Sequence, residues 1–317
     1  MNAVPSTPVA NPTGPWRGET YYGVPPVRRS HWNWKVGTYI GLGGMAGAAQ
    51  VVALLARGRD RHGALRRQAH WLGSVASGIG AVLLVVDLKT PHRFANMLRI
   101  VRPTSPMSLG TWILSGFGLA SAVGTVAELL GARRLGRAAQ VPAAIGGAGM
   151  SVYTAALLSA TSTPLWAAEP RVMGARFGSA AFAAGAAALS LGARRRGEDA
   201  TADRLDEVAL LAAGVGLVAS GLAEGRAVAA GVRRPALEWA TSLGAVGLAE
   251  ALPVAGYAAA ALAPGARREL SLAASLTLVL GNIVMRNEIV RAGNASADRP
   301  RDTFRLTQPR EGRRRTR

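Results

Sequence analysis

Eight long apolar runs, separated by short polar or arginine-rich segments, constrain this chain more than any other feature. They fall at about 33–56, 69–88, 107–130, 138–160, 171–193, 207–230, 237–262 and 269–291. A hydrocarbon core about 30 Å thick needs roughly 20 apolar residues per helix. Lipid offers backbone groups no hydrogen-bond partner, so each run must satisfy its own as a helix. The pattern predicts an all-α membrane protein with eight transmembrane helices.

The make-up of the runs agrees with that reading. Hydrophobic residues are 49% of the chain but aromatics only 5%, and there are 39 glycines. A soluble core of this size would call for more large side chains. Small residues suit transmembrane helices, whose backbones must approach closely. Glycines four apart recur at Gly43 and Gly47, Gly174 and Gly178, and Gly221 and Gly225.

The net charge is +19. It lies between the apolar runs, with no basic face interleaved with stacking aromatics, so nucleic acid is not the expected partner. It is a topology signal, with anionic membrane lipids as its natural counterpart. Eight spans put both termini on one face, with the loops around 89–106, 161–170 and 231–236. The opposite face carries the loops around 57–68, 131–137, 194–206 and 263–268, with roughly twice as many Lys and Arg. We call these the terminal face and the basic face. The positive-inside rule puts the basic face in the cytoplasm and the termini outside, although the arginine-rich tail at 292–317 pulls the other way. Residues 1–32 form an extramembrane tail with no run long enough for a signal peptide, so the first span is expected to insert as its own anchor. This tail is expected either to be disordered or to lie along a partner subunit, and Trp16, Tyr21 and Tyr22, costly on a free coil, favour the partner.

No cysteine is present, which excludes disulfides, iron–sulfur clusters and thiolate metal sites from this chain. The four histidines, His31, His62, His70 and His92, are expected in loops or at span ends. That placement gives no axial pair for an intramembrane haem and no usable metal-ligand cluster.

Between the second and third runs lies Asp87-Leu-Lys-Thr-Pro-His-Arg-Phe, followed by Pro103-Thr-Ser-Pro-Met-Ser108. Pro91, Pro103 and Pro106 interrupt helix propagation, and Arg93, Arg99 and Arg102 gather near Asp87. The segment reads as a structured cap and one wall of a functional site, with a plain topology loop as the alternative. Within the runs, Glu224, Arg226, Glu250 and Arg286 are ionisable groups in a medium that penalises them. Arg286 is expected to pair with Glu224 or Asp87, as a structural ion pair or as part of a proton relay. Glu250 has no basic residue near its depth in its own run. It reads as a relay carboxyl or as a neutral helix–helix hydrogen-bond donor.

Taken together, Tyr39-Ile-Gly-Leu-Gly-Gly-Met-Ala-Gly47, the Asp87–Phe94 segment and Pro103–Trp112 resemble the NrfD/PsrC family of polysulfide-reductase-like integral membrane subunits. Tyr153-Thr154, Pro164-Leu-Trp166 and Gly281-Asn-Ile-Val-Met-Arg286 extend the resemblance, which runs from about Trp32 to Gly293. It departs from the usual pattern at Lys89-Thr90, where Gly-Arg is more common. The resemblance implies two four-helix bundles in a bacterial cytoplasmic membrane, spanning residues 33–291. It implies a quinone, menaquinone or ubiquinone, bound near the face that meets an iron–sulfur subunit, and through it a molybdenum or tungsten catalytic subunit. It implies neither haem nor metal in this chain, whose part in an oxidoreductase is that of an anchor. The expected quinone contacts are Tyr153, Asn33, Asp87, His92, Arg93 and His31, with Tyr153 the best match to the family's tyrosine on the fourth span. A small-solute transporter or channel is the competing reading, since eight glycine-rich spans also permit one, and a purely structural scaffold is a third.

Overall fold

The structure, a computed structural model, describes residues 25–60, 63–99, 101–232, 238 and 243–307. Every regular element among them is helical. The helices are α1 (Trp34–Leu55), α2 (Ala64–Asp87), α3 (Pro106–Leu129), α4 (Arg133–Ser159), the short α5 (Pro164–Ala167), α6 (Pro170–Arg195) and α7 (Asp199–Ala229). A π-helical run, Leu243–Ala251, leads into α8 (Leu252–Leu262), followed by α9 (Arg267–Ala297) and α10 (Pro300–Thr307).

Seven helical stretches among the described residues are long and apolar enough to cross a membrane. The run expected at 237–262 contributes a shorter apolar helix, Val246–Leu262; residues 239–242 and 233–237 lie outside the described residues. Local chemistry sets the helix ends. The Asn33 side chain accepts from the Lys35 amide at 2.9 Å and caps α1. Ser105 caps α3 ahead of Pro106, whose missing N–H costs nothing at a first helical position.

One boundary corrects the sequence reading. Gly63, at φ 70°, takes a left-handed conformation that glycine adopts without penalty, and α2 begins immediately after it at Ala64. The helix thus starts five residues ahead of the expected 69, and His70 lies inside it. His70 is fully buried, with Nδ1 3.1 Å from the Gln50 amide and Nε2 3.0 Å from the Gly136 carbonyl. His62 and the tail aromatics Trp16, Tyr21 and Tyr22 lie outside the described residues.

Helices α1 to α4 close a ring: each packs on the next, and α1 packs on α4. Helix α6 packs extensively on α7. Helix α9 lies against α6 and against the 243–262 segment, which also reaches α7. The two groups meet where α1 touches α6 and α9, and where α4 touches α6. About 72% of the apolar stretch is buried in α1 and in α6, against 28% in α2, α3 and α7. So α1 and α6 form the centre, and the outer helices present Val82, Leu119, Ile145 and Leu211 outward.

Glycine makes the central contacts possible. A Cβ on Gly47 would run into the Gly147 backbone, and one on Gly147 into that of Gly47. Gly185 on α6 faces the α1 backbone at Met45 and Ala49 in the same way. The other glycine pairs noted in the sequence behave differently: a Cβ on Gly174, Gly221 or Gly225 would have nothing within 4 Å, and one on Gly178 would meet only a side-chain methyl of Val152, at 3.2 Å. Gly47→Ala is therefore expected to overpack the seam by about 1–3 kcal/mol and to lower the thermal midpoint in detergent, whereas Gly221→Ala leaves it in place. Equal midpoints for the two variants would contradict the close-approach account.

Candidate functional site

At the terminal face, the first helix ring encloses a cavity of about 210 Å³. Its walls are mainly apolar: Leu84, Val85 and Leu88 around the end of α2, Met107 and Leu114 on α3, and Leu157 on α4. Phe94, Met97 and Leu98 come from a 3₁₀ helix over Pro91–Leu98, which supplies one wall. That helix is the cap expected between the second and third runs, and its apolar residues, rather than His92 and Arg93, line the space.

Polar groups enter at a few points. Asp87 terminates α2 and lines the cavity together with His31 and Tyr153. Its carboxylate is held from α1: Asn33 Nδ2 donates to Oδ1 at 2.8 Å, and Lys35 Nζ lies 3.8 Å away. Asn33 thus has two tasks, capping α1 and fixing Asp87, and it stands behind the lining. Asp87 pairs with Lys35 of α1, in place of the loop arginines that surround it in sequence.

The Tyr153 hydroxyl hydrogen-bonds to that of Tyr39. Both rings reach the cavity, and glycines make room for them. A Cβ at Gly110 on α3 would strike the Tyr153 ring, and one at Gly80 on α2 would meet Tyr39 at 2.8 Å. Tyr39 belongs to the quoted α1 motif, yet sequence reasoning did not single it out. The signal available was a tyrosine inside an otherwise aliphatic run, whose hydroxyl needs a buried partner.

The approach to the cavity is braced from the second helix group. Trp32 stacks on Trp166 at 5.7 Å, and Trp166, fully buried, donates from Nε1 to the Ile289 carbonyl at 2.9 Å. The Ser30 amide donates to Asn294 Oδ1 at 3.0 Å, Asn294 Nδ2 donates to the Trp32 carbonyl, and Arg29 pairs with Asp298. The segment that delivers His31 is thereby tied to the end of α9. Of the six expected contacts, His31, Asp87 and Tyr153 meet at the cavity with Asn33 behind them. His92 and Arg93 project from the exposed side of the 3₁₀ helix.

A second polar assembly lies within the other group of helices. Arg176 on α6, wholly buried, has Nε 3.4 Å from Glu250 Oε1, and Ser220 on α7 donates to the same carboxyl at 2.6 Å. Arg286 on α9 donates to the Phe177 carbonyl at 2.8 Å, and its guanidinium sits 3.7 Å over the Phe177 ring. Arg286 is also within electrostatic reach of Glu250 and Arg176, and Glu224 within reach of both Arg176 and Glu250.

These contacts correct one expectation and add to another. Among the described residues, Arg286 makes no ion pair with Glu224 or Asp87; a carbonyl and an aromatic face accommodate it. Glu250, with no basic residue near its depth in its own run, meets Arg176 from another helix. Sequence reasoning missed Arg176 because it lies near the start of its run, where arginine ordinarily marks topology. Glu224 lines a small cavity of about 20 Å³ beside Glu169 at the terminal face, large enough for about one water, and its Oε1 is buried without a hydrogen-bond partner among the described residues.

Removing one member of the Arg176–Glu250 pair strands the other in a dry interior, a loss of about 3–5 kcal/mol. Arg176→Met should therefore lower the thermal midpoint in detergent markedly, and Arg176→Met with Glu250→Gln should recover much of the loss. A double variant no better than the single one would mean that the two side chains are not coupled.

No curated protein matches the chain at a significant level. The NrfD_2 family model, described as polysulfide reductase, matches residues 19–299. That span takes in the cavity, the 3₁₀ helix beside it and the buried arginine–glutamate assembly, and the chain belongs to this family of membrane subunits.

Proposed function

We propose that this chain is the quinone- or quinol-binding membrane anchor of a multi-subunit oxidoreductase, passing electrons between the membrane quinone pool and a partner iron–sulfur subunit. A molybdenum or tungsten subunit beyond it would hold the catalytic centre. One observation carries the reading: the terminal-face cavity joins an apolar slot to a phenol, a carboxylate and an imidazole. Apolar walls with a few convergent polar groups are what a planar, lipid-soluble carrier with two carbonyl oxygens requires. Bound there, a quinone would supply two-electron, two-proton carrier chemistry.

The chain's own groups then have distinct tasks. The Tyr153 hydroxyl, held by Tyr39, offers a hydrogen bond to a carbonyl oxygen. Asp87, oriented by Asn33 and Lys35, exchanges a proton with the cavity, and His31 at the rim passes it outward. Leu84, Leu88, Met107 and Leu157 exclude water from the ring, and the 3₁₀ cap walls it on one side. His92 and Arg93, exposed on the outer side of that cap, suit contact with the partner subunit better than contact with the ring.

We read residues 237–262 as the eighth span and the two helix groups as two four-helix bundles in a bacterial cytoplasmic membrane, basic face inward. Glu224, Glu250 and Arg286, with Arg176, form a proton relay in the second bundle, entered through the water-sized cavity at Glu224. If Glu250→Gln leaves proton uptake during quinone turnover unchanged, the relay fails while the anchor reading stands.

The test of the anchor itself is Tyr153→Phe in the assembled complex. Loss of a positioned hydroxyl should lower quinone-linked turnover by roughly a hundredfold or more, with the partner subunits still co-purifying and the thermal midpoint preserved. Unchanged turnover, or a chain that isolates without any cysteine-rich cluster protein, would contradict the proposal.

A further inference from the structure

At the basic face, opposite the Asp87 cavity, a cavity of about 580 Å³ is lined by Arg57, Arg66, Arg133 and Arg137, with Asp60 and Gln140. Arg66 is already committed: its Nε lies 2.6 Å from Glu128 Oε1, and its backbone N–H donates to Asp60 Oδ2 at 3.1 Å. These contacts fix one wall and compensate the Arg66 charge; Asp60 keeps its carboxylate at the lining, one negative charge against the guanidinium groups of Arg57, Arg133 and Arg137. Arg57, Arg133 and Arg137 are exposed and have no ion-pair partner among the described residues.

Gln140 sets this apart from a merely basic surface. It is 3% exposed, and its amide nitrogen is buried with no hydrogen-bond partner among the described residues. A buried donor without a partner is a standing cost unless something arrives to accept from it. Three guanidinium groups against one carboxylate around the same hollow specify an anion with several oxygens, and guanidinium forks match phosphate geometry. Helix α4 begins at Arg133 with no side-chain cap at Ala132, so its positive end adds to the field.

We infer that this cavity binds a phosphate-bearing anion. The surface beside it indicates a lipid as the source. Arg137, Val141 and Ile145 are spaced four apart on α4 and so share one face; Val141 and Ile145 are 42% and 70% exposed. A phospholipid can place its phosphate at Arg137 and lay an acyl chain along Val141 and Ile145. Basic hollows between spans on the cytoplasmic side suit anionic headgroups.

The test uses the full chain in mild detergent, with native mass spectrometry after adding phosphatidylglycerol, phosphatidylcholine or inorganic phosphate. Phosphatidylglycerol should bind at least roughly tenfold more tightly than phosphatidylcholine. That preference should vanish in Arg133→Gln/Arg137→Gln and persist in Arg133→Lys/Arg137→Lys, whereas Gln140→Leu, which removes a donor to the phosphate that both lipids carry, should weaken binding of phosphatidylglycerol itself. Inorganic phosphate binding with the same variant dependence, and no preference between lipids, would keep the phosphate site and assign it to a soluble anion. Equal binding by the wild type and Arg133→Gln/Arg137→Gln would overturn the inference. So would equal loss of preference in Arg134→Gln/Arg195→Gln, which removes the same charge outside the cavity.

Discussion

The seam between α1 and α4 is the constraint on which the rest depends. Lipid tails are as apolar as leucine, so hydrophobic burial cannot drive these helices together; close packing must. Gly47 and Gly147 let the two backbones touch, and Met150 fills the space over Gly43. Toward the terminal face the same seam brings the Tyr39 and Tyr153 hydroxyls into contact. A side chain at the glycine contact would spread the helices and separate the phenols. Packing deep in the bundle thus sets geometry at the cavity, and the asymmetry is informative: the glycines that matter lie at the centre, whereas Gly221 and Gly225 on α7 meet nothing.

The two helix groups handle polarity differently. In the first, charged groups stay near the ends: Asp87 with Asn33 and Lys35 at the terminal face, Arg66 with Glu128 at the basic face. In the second, charges lie inside, where Arg176 and Glu250 are almost wholly buried. Ions in such a setting persist because each is compensated. A helix group that serves only as an anchor has no need of them, which is the physical ground for proposing a relay there and a quinone site in the other ring. Toward the basic face, Arg194 with Asp203 and Asp206, and Tyr257 with Ser275, continue the polar character of the second group.

Much of the fold was legible in the sequence because the membrane imposes it. Apolar runs about one bilayer long can form little else than helices, and seven appear as full-length stretches. The described part of the run around 237–262, from Leu243 on, is less regular: Glu250 falls in a π-helical turn and Pro253 follows at once. Contacts between helices were less legible, since spacing along the chain says nothing about which run faces which. Glu250 was thus seen without a basic residue in its own run while Arg176, on another helix, lies 3.4 Å away, and Arg286 was assigned an acid where it has an aromatic face and a carbonyl. His31, Asp87 and Tyr153 were named from motif and position and converge on one cavity. The apolar side of the 3₁₀ cap was hidden because its run, Pro-His-Arg-Phe-Ala-Asn-Met-Leu, reads as polar from the start.

The central claim is that the first helix ring, at the face where Asp87 and Tyr153 lie, receives a lipid-soluble electron carrier. Photolabelling of the membrane-embedded complex with an azidoquinone, followed by peptide mapping, examines this directly. The account predicts label on the cap and α3 entry around Phe94–Met107 or on the peptide containing Tyr153, suppressed by excess unmodified quinone. Competable label concentrated instead on α6 and the Glu250 segment, with none on those peptides, would contradict it.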